Sequence, residues 1–242
     1  MQRALALPIL LFAVSVARPA RPEVAIAAAS NLTQVLQVLA PQFEAQTGIH
    51  PVFSFGSTAQ LTRQIENGAP WDVFAAADVA HVEELDHKGL LVPGSRAVYA
   101  TGVLALWVPG GRISRMEDLS SPQIRIIALA NPDLAPYGLA ARESLQKLRI
   151  WEGVKARVVY AENISMAKQY GVTGNADAVF TAYSLVLGEK GSVVPVSESL
   201  HAPIAQALGI MAASKNRAAA RRFAEFLVRD KGHAILLRHG YR

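Results

Sequence analysis

A chain of 242 residues, 51% hydrophobic and 18% charged, is too apolar for a disordered protein and long enough for two lobes of about 100 residues each. The lack of cysteine excludes a disulfide scaffold and a lipid-anchoring cysteine after a leader. Much of the formal charge of +5 sits late, at Arg217, Arg221, Arg222, Arg229, Lys231, Arg238 and Arg242, with few aromatics between; these are expected on the solvated faces of terminal helices, with no nucleic acid as partner.

The first stretch, 1–20, reads as a secretory signal peptide. Arg3 supplies the positive start, Ala4–Val16 the apolar run, and Ser15-Val16-Ala17 a small-residue cleavage site, while Pro19 disfavours a cut after Ala20. The apolar run is shorter than the about 20 residues of a membrane span, and no later segment qualifies. The expectation is a soluble chain delivered to the periplasm with its signal removed.

Beyond the leader, apolar runs alternate with helical patterns, which predicts an α/β fold with mostly parallel strands. Val24–Ala29 reads as a buried strand that runs into Ser30-Asn31 and a helix over Leu32–Gln46, stopped at Thr47-Gly48. Val52–Phe55 is the next strand, and Gly56-Ser57-Thr58 turns it into a helix over Ala59–Asn67. A strand at Val73–Ala77 and a short helix at His81–Lys88 follow, then an apolar strand at Val103–Val108 closed by Pro109-Gly110-Gly111. Ile124–Ala130, Arg157–Tyr160, Ala176–Thr181, Val193–Val196 and Ile204–Met211 read as strands, and Tyr137–Leu148 and Ile164–Tyr170 as helices. Asn216–Val228 is strongly amphipathic, with Phe223, Phe226 and Leu227 on one face, and Gly232–His239 is a last helical piece. No Gly/Ser-rich linker divides the chain, so two lobes must be joined by crossing strands, near Tyr99–Gly102 and Ala202–Ala205, with the C-terminal helices returning to the first lobe.

Four strand-to-helix corners carry the chemistry: Ser30-Asn31, Gly56-Ser57-Thr58, Asn131–Gly138 with Pro136 and Tyr137 at the helix start, and Glu162-Asn163-Ile164-Ser165. A helix start leaves backbone N–H groups without partners and presents roughly half a positive charge. Taken singly, each Ser, Thr or Asn is most simply a helix cap, and Tyr137 a half-buried aromatic. Taken together, they follow the C-terminal ends of strands, where open α/β sheets bind ligands. Four converging starts would hold a small dianion without any Lys or Arg. Glu162 is the carboxylate at the fourth corner, and Arg63 the one basic residue close to a corner, best placed in solvent. An exported hydrolase with Ser30 or Ser57 as nucleophile and His81, His87 or His201 as base is the competing class; it lacks a G-x-S-x-G elbow. His81, Glu84 and His87 have the wrong spacing for an H-E-x-x-H metal site, so a solvated helix face is expected there.

The residues at these corners carry a resemblance. AAASN, FGSTAQLTRQIENGAPWDVFAAAD, NPDLAPYGLAARESL, the AENI step, TGNADAVF and the closing FAEFLVRDKGHAILLRHGY together resemble the molybdate-binding proteins of bacterial ABC transporters, over nearly all of the mature chain. The resemblance implies a two-lobed Venus-flytrap fold of mixed, mainly parallel sheets flanked by helices. Its lobes would be 23–100 with 205–242, and 101–204, joined by a two-strand hinge. It implies capture of molybdate or tungstate, without catalysis or cofactor, and delivery to a membrane permease and its ATPase by a monomeric receptor. Its contacts fall on Ser30 with Asn31 beside it, on Ser57 and Thr58, on Tyr137, and on the backbone of Ile164 with Asn163 adjacent, all to the oxygens of the anion and none to a bare cation. Some relatives place a tyrosine near Ala182; here Tyr183 comes one residue later and is expected to point elsewhere. Sulfate or another small anion is the alternative ligand.

Overall fold

The computed structural model describes residues 21–111 and 113–242; the expected signal peptide lies outside them. Strand β1 (Glu23–Ala29) passes through a 3₁₀ turn at Ser30–Leu32 into helix α1 (Thr33–Thr47), which ends at Gly48 in the left-handed conformation, φ 73°. That is the stop the Thr47-Gly48 pair predicts, because glycine adopts a positive φ without steric cost. Strand β2 (His50–Gly56), helix α2 (Thr58–Glu66), strand β3 (Val73–Ala75), helix α3 (Ala80–His87) and strand β4 (Ala97–Gly102) complete the first run. Strand β5 (Leu104–Val108) begins one residue later, followed by β6 (Ile127–Ala130), α4 (Pro136–Lys147), the single turn α5 (Trp151–Val154) and β7 (Val158–Ala161). Helix α6 (Ile164–Val172), strand β8 (Ala178–Ala182), the turn α7 (Tyr183–Val186), β9 (Ser192–Pro195), β10 (Ile204–Ile210), α8 (Arg217–Val228) and α9 (Lys231–Arg238) finish the chain.

These strands form two five-stranded sheets of the same design, in the orders β2-β1-β3-β10-β4 and β7-β6-β8-β5-β9. In each, four strands run in one direction and a single strand, β10 in the first sheet and β5 in the second, runs against them. Both faces of both sheets are covered. Along β5, Leu104, Leu106 and Val108 enter one core and Ala105 and Trp107 the opposite one, the period of two that a strand imposes. Phe43 of α1 meets Phe223 and Phe226 of α8 edge-on at 5.4 Å, so the C-terminal helices pack onto the first sheet as expected.

The chain crosses between the sheets at Val103, where β4 in the first sheet gives way to β5 in the second, and again between β9 and β10. Arg242 joins the first crossing through two backbone hydrogen bonds with Thr101, of 2.6 and 2.9 Å. Where local pattern alone set the bounds, the elements shift. The expected strand at Ile124–Ala130 begins only at Ile127, and Val73–Ala77 ends at Ala75, although the Ala76 N–H still reaches the Ala207 carbonyl in the register of the ladder with β10. The short turns α5 and α7 and the start of β4 at Ala97 carry no periodic signal long enough to read.

Candidate oxyanion site

The four corners meet. Ser30 and Asn31 from the end of β1, Gly56, Ser57 and Thr58 from the start of α2, Pro136 and Tyr137 from the start of α4, and Ile164 from the start of α6 line one small cavity together with Ala29, Ala77 and Ala135. The walls close almost completely on one another, leaving about 10 Å³ of free space between them. None of the lining side chains is charged.

Accounting for the first-turn N–H groups shows what the cavity can offer. At the start of α2, the Ala59 N–H goes to the Leu134 carbonyl at 3.2 Å and the Gln60 N–H to Ser57 Oγ at 3.4 Å, which leaves Thr58. At α4, Pro136 has no N–H and the Gly138 N–H returns to the Ala135 carbonyl, which leaves Tyr137. At α6, Asn163 Oδ1 accepts from the Met166 N–H at 3.0 Å, which leaves Ile164 and Ser165. Three of these four residues, Thr58, Tyr137 and Ile164, line the cavity. Their donors sit at the positive ends of helix dipoles, an arrangement that attracts an anion without fixed charge.

The hydroxyls divide by what already engages them. Thr58 Oγ1 accepts from the Ala77 N–H at 3.1 Å, so its own proton is left to donate. The Ser30 hydroxyl is engaged by no group among the described residues, while the Ser30 carbonyl accepts from Thr33 Oγ1 at 2.7 Å and Ser165 Oγ at 2.8 Å. Ser57 is the N-cap of α2 in a capping box with Gln60 and donates its proton to Gln60 Oε1 at 2.8 Å. Asn163 is likewise spent as the cap of α6 and does not line the cavity. The Asn31 amide nitrogen faces away from the corner, donating to Gln206 Oε1 at 2.9 Å and to the Tyr241 hydroxyl at 3.1 Å. Burial pushes the Tyr137 phenol well above its usual pKa, helped by Tyr241, so it stays a neutral donor.

Behind the cavity lies a buried polar network of residues that sequence reading passed over. Gln206 sits in the apolar strand β10 and is fully buried; its Nε2 donates to the Tyr137 hydroxyl at 2.8 Å, and its Oε1 accepts from Asn31 and from the Tyr99 hydroxyl at 2.8 Å. The Tyr241 hydroxyl donates to the Asn31 carbonyl at 2.9 Å and accepts from Ser184 Oγ at 3.2 Å. The signal was present, because Gln206 is the one polar side chain in the run Ile204–Ile210. A buried polar group in a strand core must find partners.

The competing features lie elsewhere. Arg63 and Glu162 are exposed. His81 pairs with Asp78 at 2.8 Å, which raises its pKa, and His201 Nδ1 lies 2.7 Å from the Ala202 carbonyl; neither meets Ser30 or Ser57 among the described residues. No cluster of three or more metal-ligating side chains occurs among the described residues, and no described helix is long and apolar enough to cross a membrane. Tyr183 packs against Gly240 and away from the cavity. A larger cavity of about 830 Å³ lies at the far end of β5, where Asp118 and Asp177 would repel an anion.

Two mixed sheets joined by crossing strands, with a tight cavity at the ends of their parallel strands, define a two-lobed solute-binding protein. The chain belongs to the bacterial extracellular solute-binding proteins, whose family model matches residues 24–242. It is 35% identical to the molybdate-binding protein ModA of Rhodobacter capsulatus, over 90% of this chain and 88% of that one. It is 37% identical to ModA of Azotobacter vinelandii, over 90% and 89%. In structure it is similar to the periplasmic molybdate-binding protein of Azotobacter vinelandii, with a TM-score of 0.87 and 34% identity, covering 90% of this chain and 98% of that one.

Proposed function

We propose that the chain is a periplasmic receptor that captures molybdate, or tungstate, between two lobes and hands it to an ABC permease at the inner membrane. The observation that carries the reading is a cavity with no charged side chain in its walls, on which the starts of three helices converge with free N–H groups. Such a site matches a fully deprotonated tetrahedral dianion, whereas phosphate at neutral pH keeps a proton that needs an acceptor. The similarity to molybdate-binding proteins supports the choice of ion.

Ser30, Thr58 and the N–H groups of Thr58, Tyr137 and Ile164 are the donors we assign. Ser57 can join them by turning its hydroxyl from Gln60 to the ion. Asn31 and Asn163 hold the corners in place, Asn31 through Gln206 and Tyr241 and Asn163 as a cap. The expected lobe bounds, 23–100 with 205–242 and 101–204, shift to the crossings, since Thr101, Gly102 and Ile204 lie in strands of the first sheet, and the direct contacts across the cleft, Ala59 to Leu134 and Ser165 to Ser30, belong to the closed form. Binding closes the lobes, and the closed form is what the permease recognises. The chain acts as a monomer, without cofactor and without catalysis.

A panel of molybdate, tungstate, sulfate, phosphate and chromate in thermal-shift and calorimetric titrations tests this. Molybdate at a hundredfold excess over its Kd should stabilise the fold by about 2.7 kcal/mol. A response to sulfate with none to molybdate or tungstate would assign the alternative ligand. Serine-dependent ester turnover would assign the hydrolase.

A further inference from the structure

We infer that Tyr241 is a positioning residue for anion capture: its buried hydroxyl ties the Asn31 corner of the first lobe to Ser184 of the second and so slows release of the bound ion. This rests on the anion-receptor reading above. Tyr241 packs in the core against the first sheet, while Ser184 belongs to α7, the turn that follows β8 of the second sheet. The phenol proton goes to the Asn31 carbonyl at 2.9 Å, and the phenol oxygen accepts from Asn31 Nδ2 at 3.1 Å and from Ser184 Oγ at 3.2 Å. The Asn31 carbonyl lies farther from Ser184 Oγ, at 3.4 Å, so the phenol is the nearer partner of that hydroxyl. Asn31, Ser184 and Tyr241 are all buried, and Asn31 lines the anion cavity beside Ser30.

The chain around Tyr241 runs along the seam between the lobes. Three successive residues each meet the second lobe there. A Cβ on Gly240 would lie 2.5 Å from Cδ1 of Tyr183, the Tyr241 hydroxyl meets Ser184, and the Arg242 guanidinium pairs with Glu198 in the segment between β9 and β10. Gly240 has φ 85°, so glycine serves both the turn and the close approach to Tyr183. The pair of Arg242 with Glu198 is exposed at both ends, and such pairs contribute little. The coupling therefore falls on the buried phenol. As the lobes part, Ser184 leaves Tyr241, so this hydrogen bond favours the closed form alone and acts on the rate of release.

The test uses Tyr241→Phe and Ser184→Ala in the full chain, one variant on each side of the seam. Release of labelled molybdate is followed during a chase with excess unlabelled ion, and Kd for molybdate and for tungstate is measured by calorimetry. Each variant should release molybdate about fivefold faster, the scale of one lost hydrogen bond, with an unchanged association rate. Molybdate and tungstate should weaken by the same factor, because no contact to the ion is altered. An unchanged release rate in Tyr241→Phe, even with a lower melting temperature of the ligand-free chain, would make the tyrosine only a core residue and overturn the inference. If Tyr241→Phe does not fold, an unchanged release rate in Ser184→Ala overturns it equally. Failure of the unmodified chain to bind molybdate would instead overturn the receptor reading from which the inference starts.

Discussion

At the scale of single residues, two serines of the same chemistry have different jobs. Ser57 closes a capping box, and its truncation to alanine should cost about 1 kcal/mol of stability, the usual worth of a cap, with a smaller effect on anion affinity. Ser30 contributes its carbonyl to two hydrogen bonds that alanine would keep, one from Thr33 in its own turn and one from Ser165 across the cleft, while Ser30 itself lines the cavity with its hydroxyl unengaged among the described residues. Ser30→Ala should therefore weaken molybdate binding at nearly unchanged stability. Urea denaturation and calorimetry on both variants check this; equal loss of stability with unchanged affinity in Ser30→Ala would make it only another structural corner. Tyr137, Tyr99 and Tyr241 are a third case, three phenols buried with their oxygens in one network. Burial pushes Tyr241 up to about 12 from 10.0 and the other two well above 10.0.

At the scale of elements, the site depends on where helices start. Helix α4 is set against β6 by Gly138, whose Cβ, if present, would lie 2.1 Å from the Ala130 carbonyl oxygen. Gly138→Ala should push α4 off the sheet, cost about 1–3 kcal/mol as overpacking does, and move Tyr137 with it. Loss of stability in denaturant together with loss of molybdate affinity is the expected pair; an unchanged midpoint would mean that the helix yields freely. The corners themselves were legible in sequence because each couples a buried run to small polar residues and a helix stop or start. Ser30, Thr58, Tyr137 and Ile164 could be named on that basis with the family resemblance. The Asn31 and Asn163 side chains could be placed only near the site, since whether an amide caps its own helix or faces a ligand is set by its rotamer. Gln206, Tyr99 and Tyr241 were illegible as a group, because they come from β10, β4 and the chain end and meet only through tertiary packing.

At the scale of the whole molecule, two similar sheets supply two parts of a neutral cavity, and the chain links them by two crossings near a buried tyrosine network. Because no charged side chain lines the cavity, affinity for a dianion should stay flat where the ion itself does not titrate. The fold should behave differently in alkali. Phenols whose folded pKa is raised keep their protons after the unfolded chain has released its own, so the unfolded state binds fewer protons and stability falls as pH rises above about 10. Thermal melts across pH 9 to about 12 should show that loss, and Tyr241→Phe should reduce it; a flat profile would mean that these phenols open to water before they ionise. The central claim is that a tetrahedral dianion sits where the four corners meet, and a crystal grown with molybdate tests it most directly. The account predicts a molybdenum anomalous peak enclosed by Ser30, Thr58, Tyr137 and Ile164, with oxygens facing their hydroxyl and N–H donors. A peak at any other place on a chain that binds the ion, or an empty cavity in that crystal, would contradict it.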